Sequence, residues 1–183
     1  KYMGERNTDI FEYKVVRGTS GDMISQGRNI TKHPAIETEA VLSPDGTQLA
    51  YISDRTGTPQ VYLMDLSTQK TTRLTKKGKN NTSPDWSPDA SMISFSGTLG
   101  GPSAIYRVRT DDKLGLVKQV SPKGMLAESP AWSSDGSMIA FQAKTGRDWK
   151  IYYVLSSGST AKRLTNTGAG INEYMPSWNS GLK

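Results

Sequence analysis

The chain contains no cysteine. That excludes disulfide frameworks, thiol nucleophiles and Cys-ligated zinc or iron–sulfur sites, and it is compatible with any redox compartment. Histidine occurs once, at His33, so a His-rich metal centre is excluded as well. No window holds eighteen consecutive apolar residues, which rules out a membrane-spanning helix. No stretch shows the 3.6-residue periodicity of an amphipathic helix. Apolar residues make up 34% of the chain, on the low side for a globular protein, and charged residues an ordinary 22%. Four Trp and eight Tyr still allow a packed core. A length of 183 residues suffices for one sizeable domain but not for two independent ones.

The net charge is +6, spread along the chain. Its densest run, Lys76-Lys77-Gly78-Lys79, sits among Thr, Gly and Asn with no interleaved aromatic residue. That pattern fits a solvated loop better than a nucleic-acid interface, so no nucleic-acid partner is expected. The sequence opens on Lys1 with no basic segment leading into an apolar run, so any secretory leader would lie outside it.

A repeat organises what is present. Ala40-Val41-Leu42-Ser43-Pro44-Asp45-Gly46 is echoed by Pro84-Asp85-Trp86-Ser87-Pro88-Asp89-Ala90, then by Pro130-Ala131-Trp132-Ser133-Ser134-Asp135-Gly136. Pro176-Ser177-Trp178-Asn179-Ser180-Gly181 is a fourth copy. The steps from Leu42 to Trp86, Trp132 and Trp178 are 44, 46 and 46 residues. Each turn is followed by a short apolar run: Leu49-Ala50-Tyr51, Ile93-Ser94-Phe95 and Ile139-Ala140-Phe141. An aliphatic–aromatic pair comes next: Val61-Tyr62, Ile105-Tyr106 and Ile151-Tyr152. The units end in Arg73-Leu74-Thr75, Gln119-Val120-Ser121 and Arg163-Leu164-Thr165. Near the N-terminus, Tyr2 to Arg6 matches Tyr51 to Arg55, Ile10-Phe11 matches the pair, and Asn29-Ile30-Thr31 matches the ending.

Each unit reads as four short strands. In the Ser-Pro-Asp-Gly turn, Pro presets φ, Asp bonds back to the backbone and Gly accepts a positive φ. Four strands recurring every ~40–50 residues is the signature of an all-β propeller with four-stranded antiparallel blades. One such sheet cannot bury both faces, so blades stack around an axis. The repeated Trp and aliphatic–aromatic positions are then inter-blade core. The expected units are 1–31 (partial), 32–75, 76–121, 122–165 and a closing strand in 166–183. The end pieces either join into a fourth blade, closing a ring and removing sheet edges, or belong to the C-terminal part of a larger propeller.

The string Pro-x-Trp-Ser-Pro-Asp-Gly, then Ile-Ala-Phe, Ile-Tyr and Arg-Leu-Thr, resembles the WD-like repeat of the TolB-type β-propellers over essentially the whole chain. Leu42, Ala40, Ala90, Ser134 and Asn179-Ser180 depart from it. The resemblance implies a non-catalytic, protein-binding propeller of the bacterial cell envelope. It implies a periplasmic or extracytoplasmic location, and a protein partner such as an envelope lipoprotein or a membrane-associated complex. Similar repeats also occur in the propellers of prolyl-oligopeptidase-type peptidases, whose catalytic domain would lie outside this chain.

The residues themselves show little chemistry. There is no Gly-x-Ser-x-Gly elbow, no phosphate-cradling loop and no metal-ligand spacing, so no enzyme activity, cofactor or metal is expected. His33 reads as a connector residue, Asp111-Asp112 as a turn, and Asp45, Asp89 and Asp135 as turn formers. The Pro-x-Trp strand is expected innermost, so the residues entering it should ring one mouth of the central channel. They are Glu37-Thr38-Glu39, Asn81-Thr82-Ser83, Ala127-Glu128-Ser129 and Glu173-Tyr174-Met175. This set is acidic in a basic protein. Glu37, Glu39, Asn81, Glu128, Glu173 and Tyr174 are therefore the candidate partner-binding residues, suited to a basic or hydrogen-bonding segment of a partner, or to a cation.

Overall fold

The computed structural model describes residues 7–13, 15–18, 21–24, 27–158 and 160–178, with backbone alone for 15–18 and 21–24. The described residues form strands and turns and no helix. Near the N-terminus, β1 (Phe11–Glu12) pairs with β4 (Arg28–Asn29), and between them β2 (Val15–Gly18) and β3 (Gly21–Ile24) make a hairpin.

Three four-stranded antiparallel sheets follow. The first blade is β5 (Glu37–Leu42), β6 (Gln48–Ser53), β7 (Gln60–Asp65) and β8 (Thr71–Arg73). The second is β9 (Asn81–Trp86), β10 (Met92–Gly97), β11 (Ala104–Arg109) and β12 (Lys118–Gln119). The third is β13 (Ala127–Trp132), β14 (Met138–Thr145), β15 (Asp148–Leu155) and β16 (Lys162–Arg163). Strand order within each sheet follows the sequence, so every connection is between neighbours.

The turns form as the residues dictate. The Asp45 carboxylate accepts from Ser43 Oγ at 2.6 Å and from the Thr47 amide at 3.0 Å, while Gly46 takes φ +69°. Asp135 repeats this with Ser133 and Ser137. Those donors, the Ser133 hydroxyl first, hold the Asp135 carboxyl down at about 2. Ala90 stands where the other turns have glycine and still adopts φ +58°. The Asp89 bonds to Ser87 and Ser91 hold it there.

The blades bury one another's faces. Ala50, Ile52, Val61 and Leu63 of the first blade pack on Trp86, Ile93, Phe95 and Tyr106 of the second. Ile105 and Val120 pack on Trp132, Ile139 and Phe141 of the third. Burying a side chain such as Phe95, with no accessible surface left, contributes about 1.5–3 kcal/mol. In each blade the aromatic residue of the apolar run stacks on the Tyr of the aliphatic–aromatic pair. Tyr51–Tyr62, Phe95–Tyr106 and Phe141–Tyr152 have ring centroids 5.9, 5.7 and 6.3 Å apart.

The three blades form an open arc. Among the described residues, 171–178 makes no strand pairing with the N-terminal strands. The matches proposed for Tyr2 to Arg6 and for Asn179-Ser180-Gly181 lie outside the described residues.

Candidate functional site

The first strand of each blade carries the same irregularity. In β5 the pairing with β6 jumps from Thr38↔Ile52 to Val41↔Ala50, so one extra residue is inserted. The equivalent jumps fall between Thr82 and Asp85 in β9 and between Glu128 and Ala131 in β13. The bulged residues are Glu39, Ser83 and Ser129, with φ of +52°, +52° and +54°. Met175 continues the series at +50°, although 171–178 is not in a sheet. Left-handed backbone is costly for residues with a Cβ, of order 1–3 kcal/mol each. Here it re-aims the amide toward the preceding blade. The Ser83 amide donates to the Glu39 carboxylate, that of Ser129 to Ser96 Oγ at 2.9 Å, and that of Met175 to Gln142 Oε1 at 3.0 Å. Ser96 and Gln142 occupy equivalent strand positions, where the first blade has Ile52, which offers no acceptor. Glu39 supplies the acceptor instead.

The Trp residues stitch the same strands together. The indole of Trp86 donates to the Val41 carbonyl at 3.0 Å, and that of Trp178 to the Ala131 carbonyl at 2.9 Å. The Trp132 indole breaks the pattern and is buried without an acceptor. Its backbone amide donates instead to the Asp85 carboxylate at 2.7 Å.

These strands and residues 175–178 line a channel of about 560 Å3. Glu39 and Asp85 contribute carboxylates to the lining, and no Lys, Arg or His among the described residues joins them. Burial pushes the Asp85 carboxyl up, partly countered by the Trp132 and Trp86 amides. A group with that balance gains from any cation brought beside it.

The six expected rim residues divide in two. Glu37 is 2% exposed, paired with Arg55, whose guanidinium also bonds the Tyr51 hydroxyl at 3.0 Å and lies 4.7 Å from the Tyr62 ring centre. Asn81 has no exposed surface and donates to Gln60 Oε1 at 2.8 Å and to the Lys77 carbonyl at 2.7 Å. Glu173 is half-buried and accepts from Thr165, from Thr167 at 2.7 Å and from the Ile151 amide at 3.2 Å. Those bonds, Thr165 first, hold its carboxyl below the usual range. These three side chains therefore face neighbouring elements and not an open rim. Glu39 and Tyr174 are exposed, and Glu128 is half-buried, 3.5 Å from the Gln142 amide nitrogen. Tyr174 rests on Trp149 with ring centroids 6.2 Å apart.

The inward-turned residues occupy one equivalent position, and the sequence reading missed their partners. The amides of Glu37, Asn81, Ala127 and Glu173 donate to the carbonyls of Thr8, Pro59, Ser103 and Trp149 at 2.8–3.0 Å. The next residues after Pro59, Ser103 and Trp149 are Gln60, Ala104 and Lys150. The facing pairs are thus Gln60–Asn81, joined by a hydrogen bond, Ala104–Ala127, both buried, and Lys150–Glu173, of opposite charge. Buried Lys150 also donates to Thr167 Oγ1 and to the carbonyls of Gly168 and Ile171 at 2.7–2.8 Å. Asp85 was missed as well. Its only signal was an acid at the x position of Pro-x-Trp, where the other copies carry Val41, Ala131 and Ser177.

The remaining candidates sit as structural residues. His33 Nδ1 accepts the Ala35 amide at 3.1 Å in the connector before β5. Asp111 pairs with Arg109, and Asp112 accepts the amides of Leu114 and Leu116.

Comparison with known proteins agrees with this geometry. Over 107 residues the chain is 35% identical to the Tol-Pal system protein TolB of Desulfosudis oleivorans, covering 53% of this chain and 24% of that protein. A TolB-type structure from Agrobacterium tumefaciens superposes with a TM-score of 0.66 at 24% identity, covering 82% of this chain and 59% of that one. A prolyl endopeptidase structure superposes at 0.58 with 16% identity, covering 82% and 25% of the two chains. The two superpositions speak to the fold alone. The matched stretches span a quarter or less of the curated relatives' length. The model of the TolB beta propeller domain matches residues 21–180, and the chain belongs to that family.

Proposed function

We propose that this propeller is a non-catalytic docking module of the bacterial cell envelope, outside the cytoplasm, that receives a basic segment of a protein partner at the acidic end of its channel. The observation that carries this reading is the charge of the lining: Glu39 and Asp85 with no cation among the described residues, in a chain whose net charge is +6. Glu128 and Tyr174 adjoin the bulged Ser129 and Met175 in sequence. Like charges gathered in one concavity raise the local concentration of an opposite charge and orient it. The name of the Desulfosudis relative places it in the Tol-Pal system. That supports an envelope lipoprotein or a membrane-associated complex as the partner.

The test is crosslinking from the rim of the full-length protein in its native host. A photoreactive residue replacing Tyr174 should give one discrete adduct with an envelope protein. Glu39→Lys combined with Glu128→Lys should remove it. An undiminished adduct after charge reversal would overturn the reading, as would peptide cleavage by the purified domain alone.

A further inference from the structure

The outer rim carries a feature that the channel does not explain. The third and fourth strands are joined through residues 66–70 in the first blade and 156–161 in the third, but through the longer 110–117 in the second. The added residues include two of the most exposed large apolar side chains among the described residues, Leu114 at 71% and Leu116 at 65%. Their exposure is built in. One oxygen of Asp112 accepts the Leu114 amide at 2.7 Å and the other the Leu116 amide at 2.8 Å. Gly115 between them has φ +67° and lies so close to the first blade that a Cβ would stand 2.7 Å from the Leu74 carbonyl. Lys76 of that blade donates to the Lys113 carbonyl. The loop backbone is thus fastened to its neighbour while both leucines are held in solvent.

The surrounding charge selects what would cover them. Lys113 and Lys118 flank the leucines in sequence, Lys76 is bonded to the loop, Lys77 follows it, and Lys70 lines the adjoining groove. All five are exposed. Of the nearby carboxylates, Asp111 is paired with Arg109 through two hydrogen bonds of 2.9 Å, and Asp112 is turned onto its own loop. Asp65, in the groove, is turned onto the Ser67 and Thr68 donors. Asp65 and Asp112 stay ionised, and Lys118 reaches across to the Ser157 carbonyl, yet the five lysines outnumber the unpaired carboxylates and leave the surroundings of the leucines net positive. Exposed apolar tips on a net positive surface match the interface of a bilayer, where acyl chains take the tips and anionic headgroups the ammonium groups.

We infer that the 110–117 loop is a membrane-contact element that seats Leu114 and Leu116 in the interfacial region of an anionic lipid bilayer. Lysines alone would give weak, salt-sensitive adsorption, and two leucines alone little more. Two signals together make a reversible peripheral anchor. The contact is independent of the channel.

The test uses vesicles of phosphatidylglycerol mixed with phosphatidylcholine against vesicles of phosphatidylcholine alone. The protein should co-sediment with the first and not the second. Leu114→Ser with Leu116→Ser should lower the bound fraction about fivefold or more, and Lys76→Gln with Lys113→Gln should weaken it and flatten its salt dependence. The absence of cysteine permits a second readout. Leu114→Cys bearing an environment-sensitive dye should shift to the blue on phosphatidylglycerol vesicles, independently of any folding defect in the serine variant. No sedimentation with anionic vesicles would overturn the inference. So would an unshifted dye, or protection of the loop by a protein partner in the absence of lipid binding.

Discussion

The inner edge and the outer rim of this propeller obey different rules. Along the inner edge, Glu39, Ser83, Ser129 and Met175 hold φ between +50° and +54° although an acid, two serines and a methionine stand there. On the rim, the link between third and fourth strands changes length, and only the second blade displays leucines on a fastened loop. The inner edge is where each blade must meet the next in fixed register, so its backbone varies little. The rim is not held to that register, so it is free to differ. The carboxylates on the constrained edge that no Lys or Arg among the described residues pairs, Glu39, Asp85 and Glu128, therefore stand out as candidates for recognition, as does the elaborated loop of the second blade on the rim.

The sharpest way to break this contrast is to truncate one residue from each region. Trp86 is 5% exposed and its indole bonds the Val41 carbonyl. Trp86→Ala should cost about 3–5 kcal/mol, measured by urea denaturation, whereas Leu114→Ala on the rim should stay within about 0.5 kcal/mol. Equal losses would show that the two regions share one role.

A smaller effect sharpens the inner-edge side. Removing either partner of the Gln60–Asn81 bond leaves a buried amide group short of a partner. Gln60→Ala or Asn81→Ala should therefore each cost about 1–3 kcal/mol. Together they recreate the Ala104–Ala127 pairing of the next interface. The double variant should lose less than the sum of the singles by at least about 0.5 kcal/mol. Strict additivity would mean that the equivalent position is not a paired lock.

What was legible in the sequence was whatever repeats as a residue type. The Ser-Pro-Asp-Gly turns, the Trp spacing and the aliphatic–aromatic pairs each need a particular side chain at a particular place. They located the strands and the inter-blade core directly. The bulges were not legible, because Glu39, Ser83, Ser129 and Met175 satisfy one backbone demand with three different kinds of side chain. The facing pairs were hidden for a related reason. A hydrogen-bonded amide pair, two buried alanines and two residues of opposite charge fill the same place, so no residue type recurs. That is why Glu37, Asn81 and Glu173 read as an open acidic rim when their side chains turn toward neighbouring strands and loops. Asp85 lies on the channel wall two residues beyond the bulged Ser83.

The account rests on the channel taking a positively charged segment. Trp132 and Trp178 line it, so binding there should perturb indole fluorescence. The most direct measurement is a fluorescence titration with an extended Lys/Arg-rich peptide and with an acidic peptide of equal length. The basic peptide should bind and the acidic one should not. Glu39→Gln with Asp85→Asn should weaken the basic peptide about tenfold or more. Equal affinity for the two peptides, or an affinity unmoved by the double substitution, would contradict it.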